Sequence, residues 1–159
     1  RKRIPITASE RENGNIPYYG ASGVVDYVKD YIFNERLLLV SEDGANLVAR
    51  VTPIAFSVEG ETWVNNHAHV LRFENYYLQK YVEFYINQMD ISTFVTGAAQ
   101  PKLNQENLNR IEIKIPPEDA LKNIVDSILE EKSIVDGNKK LIAIYQKKIK
   151  DVLSAVWGE

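Results

Sequence analysis

The sequence predicts an α+β protein, in which a mixed, barrel-like β-sheet domain with one or two short helices precedes a long C-terminal helix of the coiled-coil type. Short apolar segments separated by turn residues fill the first two thirds of the chain. An apolar residue then recurs at every seventh position over residues 121–156. The prolines at 116 and 117 separate the two patterns. We therefore expect a domain over residues 1–117 and a helix over residues 118–159.

The sevenfold repeat predicts that the C-terminal helix packs against a partner helix. A strict spacing of seven, unlike the 3.6-residue period of a straight helix, favours a left-handed supercoil. At the standard rise the helix would be about 54 Å long, which exceeds the width of a compact domain of this size. The residues expected to pack on the partner are Leu121, Ile128, Val135, Ile142, Ile149 and Val156. Gly137 leaves open a bend, or a break into two ordinary helices packed on a globular core.

The first part of the chain is expected to hold several short strands and two helices. Alternating or continuous apolar residues predict strands over residues 36–40, 47–51, 54–58, 67–73 and 111–115. Apolar side chains at helical spacing predict an amphipathic helix between Asn75 and Asp90. A second, short helix is expected to start at Asn104, because asparagine is a preferred N-cap residue.

The composition restricts the possible classes of function. A formal net charge of −3 is not typical of proteins that bind polyanions without selectivity, because those proteins concentrate Lys and Arg. The chain has no cysteine, so it offers neither disulfides nor thiolate metal sites. No apolar run approaches the roughly 20 residues that a membrane-spanning helix needs. We expect a cytoplasmic protein that does not associate with membranes.

Few residues in the chain are suited to catalysis. The sequence contains no nucleophile elbow, phosphate-binding loop or His-Glu metal-binding spacing. His67 and His69 would point the same way on a strand and could bind a metal with a carboxylate, but no third ligand stands at a recognisable spacing. The Glu-Asp-Gly sequence at 42–44 is more typical of a tight turn than of an acid-base pair. We predict no catalytic residue, metal or cofactor, and a metal hydrolase built on the two histidines stays the weaker alternative.

Three polar segments have compositions suited to nucleic acid. Residues 16–23 combine adjacent tyrosines with glycines that allow a close backbone approach to a phosphate. Residues 96–105 carry amides and a lysine, and residues 65–67 carry amide and imidazole groups, all of which suit base edges and phosphates. Each segment alone is equally typical of an ordinary turn or polar loop.

Taken in order, five segments resemble the target-recognition domains of Type I restriction-modification specificity subunits and of the related fused methyltransferase-restriction enzymes. The segments are GNIPYYGASG (14–23), LLVSEDGANL (38–47), WVNNHAHVL (63–71), TGAAQPKLN (96–104) and IKIPP (113–117). The resemblance covers residues 15–130, and its specificity comes from the order and spacing of the five segments. It also accounts for the long helix, which in this family pairs antiparallel with a counterpart and sets the distance between two half-sites.

The resemblance implies a non-catalytic module that reads one half of a bipartite double-stranded DNA target. It implies an adenine methyltransferase subunit as partner and, through that subunit, the restriction subunit. A full specificity subunit has two recognition domains and two long helices, so we expect this chain to need a second recognition half or a homodimer through the helix. The alternatives are the recognition tail of a fused methyltransferase-restriction enzyme and a coiled-coil interaction module without a DNA role.

The resemblance also assigns individual residues to the DNA face. They are Tyr19, Ser22, Gly23, Lys29, Arg50, Asn65, Asn66, His67, Gln100, Lys102, Asn104 and Gln105. Within this set Lys29, Arg50 and Lys102 are expected to contact phosphates. The side chains expected to read base edges through hydrogen-bond donors and acceptors are Asn66, His67, Gln100 and Gln105.

Overall fold

The computed structural model describes residues 3–157, which form two compact units that divide between Ile115 and Pro116. The strands of the first unit are β1 (Asn13–Gly20), β2 (Gly23–Val28), β3 (Phe33–Asn34), β4 (Leu37–Ser41), β5 (Ala55–Val58), β6 (Glu61–Val64) and β7 (Ala68–Leu71). Its helices are α1 (Asn46–Ala49), α2 (Tyr76–Gln88) and α3 (Gln105–Asn109), with 3₁₀ turns at Ala8–Glu10 and Ser92–Phe94. The second unit contains α4 (Glu118–Trp157). The predicted ranges 1–117 and 118–159 also include residues 1, 2, 158 and 159, which lie outside the described residues.

The strands form two sheets. One sheet has the order β2-β1-β6-β3, with β1 antiparallel to β2 and parallel to β6. The other has the order β5-β4-β7 and is antiparallel throughout. Together with the short helices and the long C-terminal helix, these mixed sheets confirm the predicted α+β fold class.

Strand β4 is buried on both faces and contributes to two core clusters. Leu38 and Val40 pack with side chains from α2, and with Leu103, in the first cluster. Leu37 and Leu39 point to the opposite face and pack in the second cluster, because successive side chains of a strand alternate between its faces. This double burial explains why the strand is an unbroken apolar run rather than an alternating one.

Helices α2 and α3 both begin at asparagine caps. The Asn75 side chain accepts a hydrogen bond from the backbone N–H of Leu78 at 3.0 Å. The Asn104 side chain accepts one from the N–H of Asn107 at 2.8 Å. Each cap satisfies a backbone donor that has no partner within its helix. The structure therefore confirms the helix predicted between residues 75 and 90 and the cap predicted at Asn104.

The strand predicted over residues 47–51 is wrong. This segment forms the short helix α1, followed by Arg50 in the left-handed region with φ of 53°. The Asn46 side chain stabilises the turn because it accepts from the N–H of Thr52 at 3.0 Å and donates to the carbonyl of Thr52 at 2.9 Å. A short apolar run cannot distinguish a strand from such a turn, and the asparagine decides between them.

The strand predicted over residues 111–115 is also wrong, because this extended segment pairs with no neighbouring strand among the described residues. Ile111 and Ile113 pack against the first core cluster, as the alternation predicts. Ile115, however, is 51% exposed. The alternating pattern thus located two half-buried side chains correctly but could not supply the partner strand that a sheet requires.

Four strands were not predicted from the sequence, namely β1, β2, β3 and β6. The segment 16–23, which looked like a loop, is the second half of β1 and the tight turn into β2. Strand β1 pairs with β6 far along the chain, where Tyr18 stands beside Trp63. Pairing at such a distance leaves little local signal in a strand that holds glycine and proline.

Helix α4 continues without a break through Gly137 and contains 40 residues, a length of about 60 Å. Of the six residues predicted to pack on a partner, Leu121 is buried and Ile128 is half-buried. The other four are between 48% and 71% exposed, namely Val135, Ile142, Ile149 and Val156. No helix of the described residues is both long enough and apolar enough to cross a membrane.

Candidate nucleic-acid interface

The turn between β1 and β2 lies beside the ends of β4 and β6. The Ser41 hydroxyl at the end of β4 donates a hydrogen bond to the carbonyl of Ala21 in the turn. The N–H of Asn65, just after β6, donates to the carbonyl of Tyr19 at 3.0 Å. Gly23 closes the turn with φ of 125°, a conformation that side chains disfavour. The turn is thus held at a fixed position against both neighbouring strands.

Backbone hydrogen bonds join the segment after β4 to two further segments. The N–H of Glu42 donates to the carbonyl of His67 at 2.8 Å, and the carbonyl of Glu42 accepts from the N–H of Leu103 at 2.8 Å. The N–H of Gly44 donates to the carbonyl of Pro101 at 3.0 Å. Four segments therefore lie side by side and are called the loop edge below: residues 19–23, 41–44, 65–69 and 96–103.

The last of these segments is itself a closed loop. Thr96 and Lys102 exchange backbone hydrogen bonds of 2.9 and 2.7 Å. Gly97 has φ of 85°, and a Cβ atom there would lie 2.5 Å from the carbonyl oxygen of Gln100. This tight curvature places Gln100 on the exposed tip of the loop.

Glu42 holds the charged side chains beneath the loop edge together. Its carboxylate accepts a hydrogen bond from Arg3, which also donates to the carbonyl of Ala68 at 2.9 Å. Lys102 Nζ lies 3.4 Å from Glu42 Oε1, and His69 Nδ1 lies 3.6 Å from Glu42 Oε2. Burial alone would raise the pKa of Glu42, but the Arg3 hydrogen bond and the surrounding positive charges hold that pKa below its usual value.

The two histidines have separate partners. His69 is buried, and its Nε2 lies 2.7 Å from the carbonyl oxygen of Leu103, so Nε2 carries the hydrogen. Burial lowers the pKa of His69, and this effect outweighs the opposite influence of the Leu103 hydrogen bond and of Glu42. His67 is exposed in the turn before β7, where its Nδ1 contacts the carboxylate of Asp43. Within residues 3–157, no three His, Cys, Asp or Glu side chains are grouped to hold a metal ion.

Most of the predicted DNA-face residues lie on the loop edge, namely Tyr19, Ser22, Gly23, Asn65, Asn66, His67, Gln100 and Lys102. Five of these side chains are exposed, namely Ser22, Asn66, His67, Gln100 and Lys102. Tyr19 instead packs beside Phe56, with ring centroids 6.0 Å apart. Asn65 is buried and accepts from the N–H of His67 at 2.8 Å. Tyr19 and Asn65 therefore support the edge from within.

Asn104 and Gln105 follow directly after the loop edge. The Asn104 side chain is occupied as the cap of α3. Gln105 is exposed and lines a cavity of about 390 Å³ together with Arg3, His69 and Arg72. Gln105 is therefore open to solvent next to the loop edge.

Lys29 and Arg50 lie outside the loop edge and have protein partners. Lys29 Nζ is 2.9 Å from the carboxylate of Glu12, and both side chains are exposed. The Arg50 guanidinium donates to the backbone carbonyls of Ile86 and Met89 at 3.3 and 2.8 Å. These contacts favour local structural roles for both cations.

Sequence reasoning missed three residues that organise the loop edge, namely Arg3, Glu42 and Asp43. The sequence held a signal for the two acids. Two adjacent carboxylates and two histidines that are two positions apart can form two acid–histidine pairs when their segments lie side by side. No local signal existed for Arg3, because it stands 39 positions before the carboxylate that it contacts.

A family model described as the Type I restriction modification DNA specificity domain matches residues 1–155. The chain belongs to this family. Over 115 residues it is 36% identical to a Haemophilus influenzae protein whose name describes it as a type I restriction enzyme specificity subunit. That match covers 72% of this chain and 29% of the relative. The chain thus spans less than a third of the length of this family relative.

A solved structure of a Type-I restriction-modification system S subunit from M. genitalium has the same fold as this family member. The TM-score is 0.64, and the match covers 92% of this chain and 40% of that subunit. Because the sequence identity is 11%, the likeness concerns the fold alone.

Proposed function

We propose that this chain is the DNA-recognition module of a Type I restriction-modification system and reads one half of a bipartite double-stranded target. The observation that carries this proposal is the loop edge, where exposed hydroxyl, amide, imidazole and ammonium groups lie side by side. Amide side chains can pair with both a donor and an acceptor of adenine, and serine and histidine can bond to several base edges. Four segments fixed by backbone hydrogen bonds hold these groups in one arrangement, as selective reading requires.

The charge of the chain favours DNA binding in which another subunit supplies part of the phosphate contacts. The net charge is −3, and the exposed ammonium of Lys102 is partly offset by Glu42. Phosphate contacts supply much of the affinity in protein–DNA complexes. We therefore propose that an adenine methyltransferase subunit supplies further phosphate contacts, and that the restriction subunit joins through it. In this assembly the chain is a non-catalytic, cytoplasmic partner.

Helix α4 carries the second part of the proposal. Four exposed apolar residues follow one another at a spacing of seven along the helix. Apolar side chains in this pattern are stabilised when a partner helix covers them. We propose that the partner is the helix of a second recognition half or of a second copy of the chain. The fused methyltransferase-restriction alternative keeps the DNA role and differs only in the partner.

Selection from a random duplex library tests the proposal. The wild-type chain is incubated with the library alone and with an adenine methyltransferase subunit, and the bound DNA is sequenced. We expect enrichment of one short motif, at least in the presence of the methyltransferase. Gln100→Ala should relax the preference at one base pair, whereas Gln88→Ala, at an exposed glutamine of α2 outside the loop edge, should not. Absence of any enriched motif in both conditions would sink the DNA-recognition proposal and favour a coiled-coil module without a DNA role.

A further inference from the structure

Asp43 and His67 form an asymmetric pair on the loop edge. Both carboxylate oxygens of Asp43 lie 2.9 Å from Nδ1 of His67. The Asp43 side chain is 15% exposed, whereas the His67 side chain is 48% exposed. The carboxylate is thus mostly covered, whereas the imidazole that it contacts is open to solvent.

The backbone on each side holds this pair in place. Asp43 lies between Glu42 and Gly44, which are bonded through their N–H groups to the carbonyls of His67 and Pro101. The N–H of His67 donates to the Asn65 side chain at 2.8 Å. These bonds fix the backbone positions of both residues and keep the two side chains within hydrogen-bonding distance of each other.

The chemistry of the pair determines which ring nitrogen carries the hydrogen. An ionised carboxylate only accepts hydrogen bonds, so Nδ1 of His67 must be the donor. In a neutral imidazole the other nitrogen, Nε2, then has a lone pair and only accepts. His69 has the opposite arrangement, because its Nε2 faces a carbonyl. The two histidines of the chain are thus expected to be different tautomers.

We propose that Asp43 is a positioning residue that fixes the hydrogen of His67 on Nδ1, so that the outer nitrogen Nε2 accepts a hydrogen bond from a base amino group of the DNA. In the major groove such groups belong to adenine and cytosine, whereas the oxygens of guanine and thymine only accept. The DNA part of this inference rests on the proposed function. The tautomer part stands on the Asp43–His67 contact itself.

Nitrogen-15 NMR of the histidine rings tests the tautomer without DNA. In mildly alkaline buffer, we expect the Nδ1–H form for His67 and the Nε2–H form for His69, which serves as an internal reference. Asp43→Asn should shift His67 away from the Nδ1–H form, because an amide can either accept from Nδ1 or donate to it and so no longer restricts the hydrogen to that nitrogen. Asp30→Asn, at an exposed aspartate outside the loop edge, should leave it unchanged. An Nε2–H form of His67 in the wild-type chain would overturn the positioning role.

A double-mutant cycle tests the DNA part by duplex selection with the methyltransferase present. His67→Gln is expected to weaken the preference at one base pair by about fivefold or more. Asp43→Asn should weaken the preference at that same base pair, and the double variant should be no worse than His67→Gln, because Asp43 acts only through the ring. If Asp43→Asn alters a different base pair, or adds to the His67→Gln effect, Asp43 contacts DNA itself and the inference is wrong.

Two measurements separate failure of this inference from failure of the proposed function. Thermal melting identifies variants that are not folded. If Asp43→Asn does not fold, Asp43→Ala replaces it in the double-mutant cycle, and the expected result is the same. If the wild-type chain selects no DNA motif, the proposed function fails and the DNA part of the inference fails with it. The NMR result still decides whether Asp43 fixes the tautomer.

Discussion

The guanidinium group of Arg50 donates a hydrogen bond of 2.8 Å to the backbone carbonyl of Met89, at the C-terminal end of α2. A second hydrogen bond of 3.3 Å reaches the carbonyl of Ile86. Carbonyl groups in the last turn of a helix have no partner within the helix, and a positive charge there is favourable. Arg50 therefore anchors α1 to the end of α2, although the family resemblance implied a phosphate contact for it.

Arg50→Ala should lower the free energy of unfolding by about 1–3 kcal/mol, because the two charge-assisted hydrogen bonds to the end of α2 are lost. Urea unfolding measures this change. Lys29→Ala is the control, since its ion pair with Glu12 is exposed and such pairs contribute little. The DNA motif selected by the Arg50 variant should be that of the wild type. A changed motif with unchanged stability would instead favour a direct DNA contact.

Lys102→Ala should reduce the salt dependence of DNA binding. Lys102 Nζ is exposed on the loop edge and is held 3.4 Å from Glu42, which orients it without burying it. If the ammonium contacts one phosphate, the slope of log affinity against log salt should decrease by about one. The measurement is a binding titration at several salt concentrations, with Lys29→Ala in parallel. An unchanged slope would remove Lys102 from the phosphate contacts.

Local patterns in the sequence were sufficient to predict helices α2, α3 and α4, because a helix is specified by the spacing of its apolar residues and by capping residues close to it in the chain. Helix α2 and the cap of α3 depend on spacing and on asparagines three positions before the bonded N–H groups. Helix α4 depends on a sevenfold repeat. The apolar runs at 47–51 and 111–115 were misassigned because a strand requires a neighbour, which a short run does not specify.

The candidate site was predicted less completely than the fold. The polar segments were visible in the sequence, but their contacts with one another were not. Asp43 and His67 are 24 positions apart, and nothing in either segment specifies that they meet. Likewise, no local pattern shows that the Arg50 guanidinium is occupied by carbonyls of a later helix. Exposed residue types can therefore be predicted from the sequence, whereas the partners that orient or occupy them depend on tertiary pairing.

Gly97→Ala should open the loop at 96–102. Gly97 has φ of 85°, and a Cβ atom would lie 2.5 Å from the carbonyl oxygen of Gln100. The strain is expected to cost about 1–3 kcal/mol and to displace the tip of the loop. Hydrogen exchange at the backbone N–H of Lys102, which bonds to Thr96, reports the opening.

Gly137→Ala is the matched control for this substitution. Nothing lies within 4 Å of a Cβ atom at Gly137, and its place inside α4 favours alanine by about 1 kcal/mol. In Gly137→Ala we expect hydrogen exchange at the Lys102 N–H to be slower than in the wild type or unchanged. Unchanged exchange at Lys102 in Gly97→Ala would contradict the tight-loop explanation.

The buried His69 should make the protein less stable in mild acid. Burial lowers the pKa of His69 in the folded chain, while an unfolded histidine has a pKa of about 6.5. Below that pH the unfolded state binds more protons, so the free energy of unfolding should fall as the pH decreases. The lowered pKa of Glu42 adds a loss only at more acidic pH, below the usual glutamate value of about 4.3.

Urea unfolding at several pH values between the usual pKa values of glutamate and histidine measures the contribution of His69 to the free energy of unfolding. His69→Gln keeps a donor near the position of Nε2 for the Leu103 carbonyl but does not titrate. Its stability should therefore vary less with pH than that of the wild type. His67→Gln, which replaces the other histidine and breaks its contact with Asp43, is measured in parallel for comparison. Equal pH dependence in the wild type and in His69→Gln would show that another group is responsible.

Ile142→Asp should abolish pairing of the long helix. Ile142 is 57% exposed and stands in the middle of the sevenfold stripe, where a charge would be buried by a partner helix. Sedimentation across a range of concentrations, alone and with a second recognition half, measures pairing. Ala143→Asp adds the same charge one position away, off the stripe, and should still pair. If both variants pair as the wild type does, the stripe is not the interface, and the exposed apolar residues of α4 require a different partner.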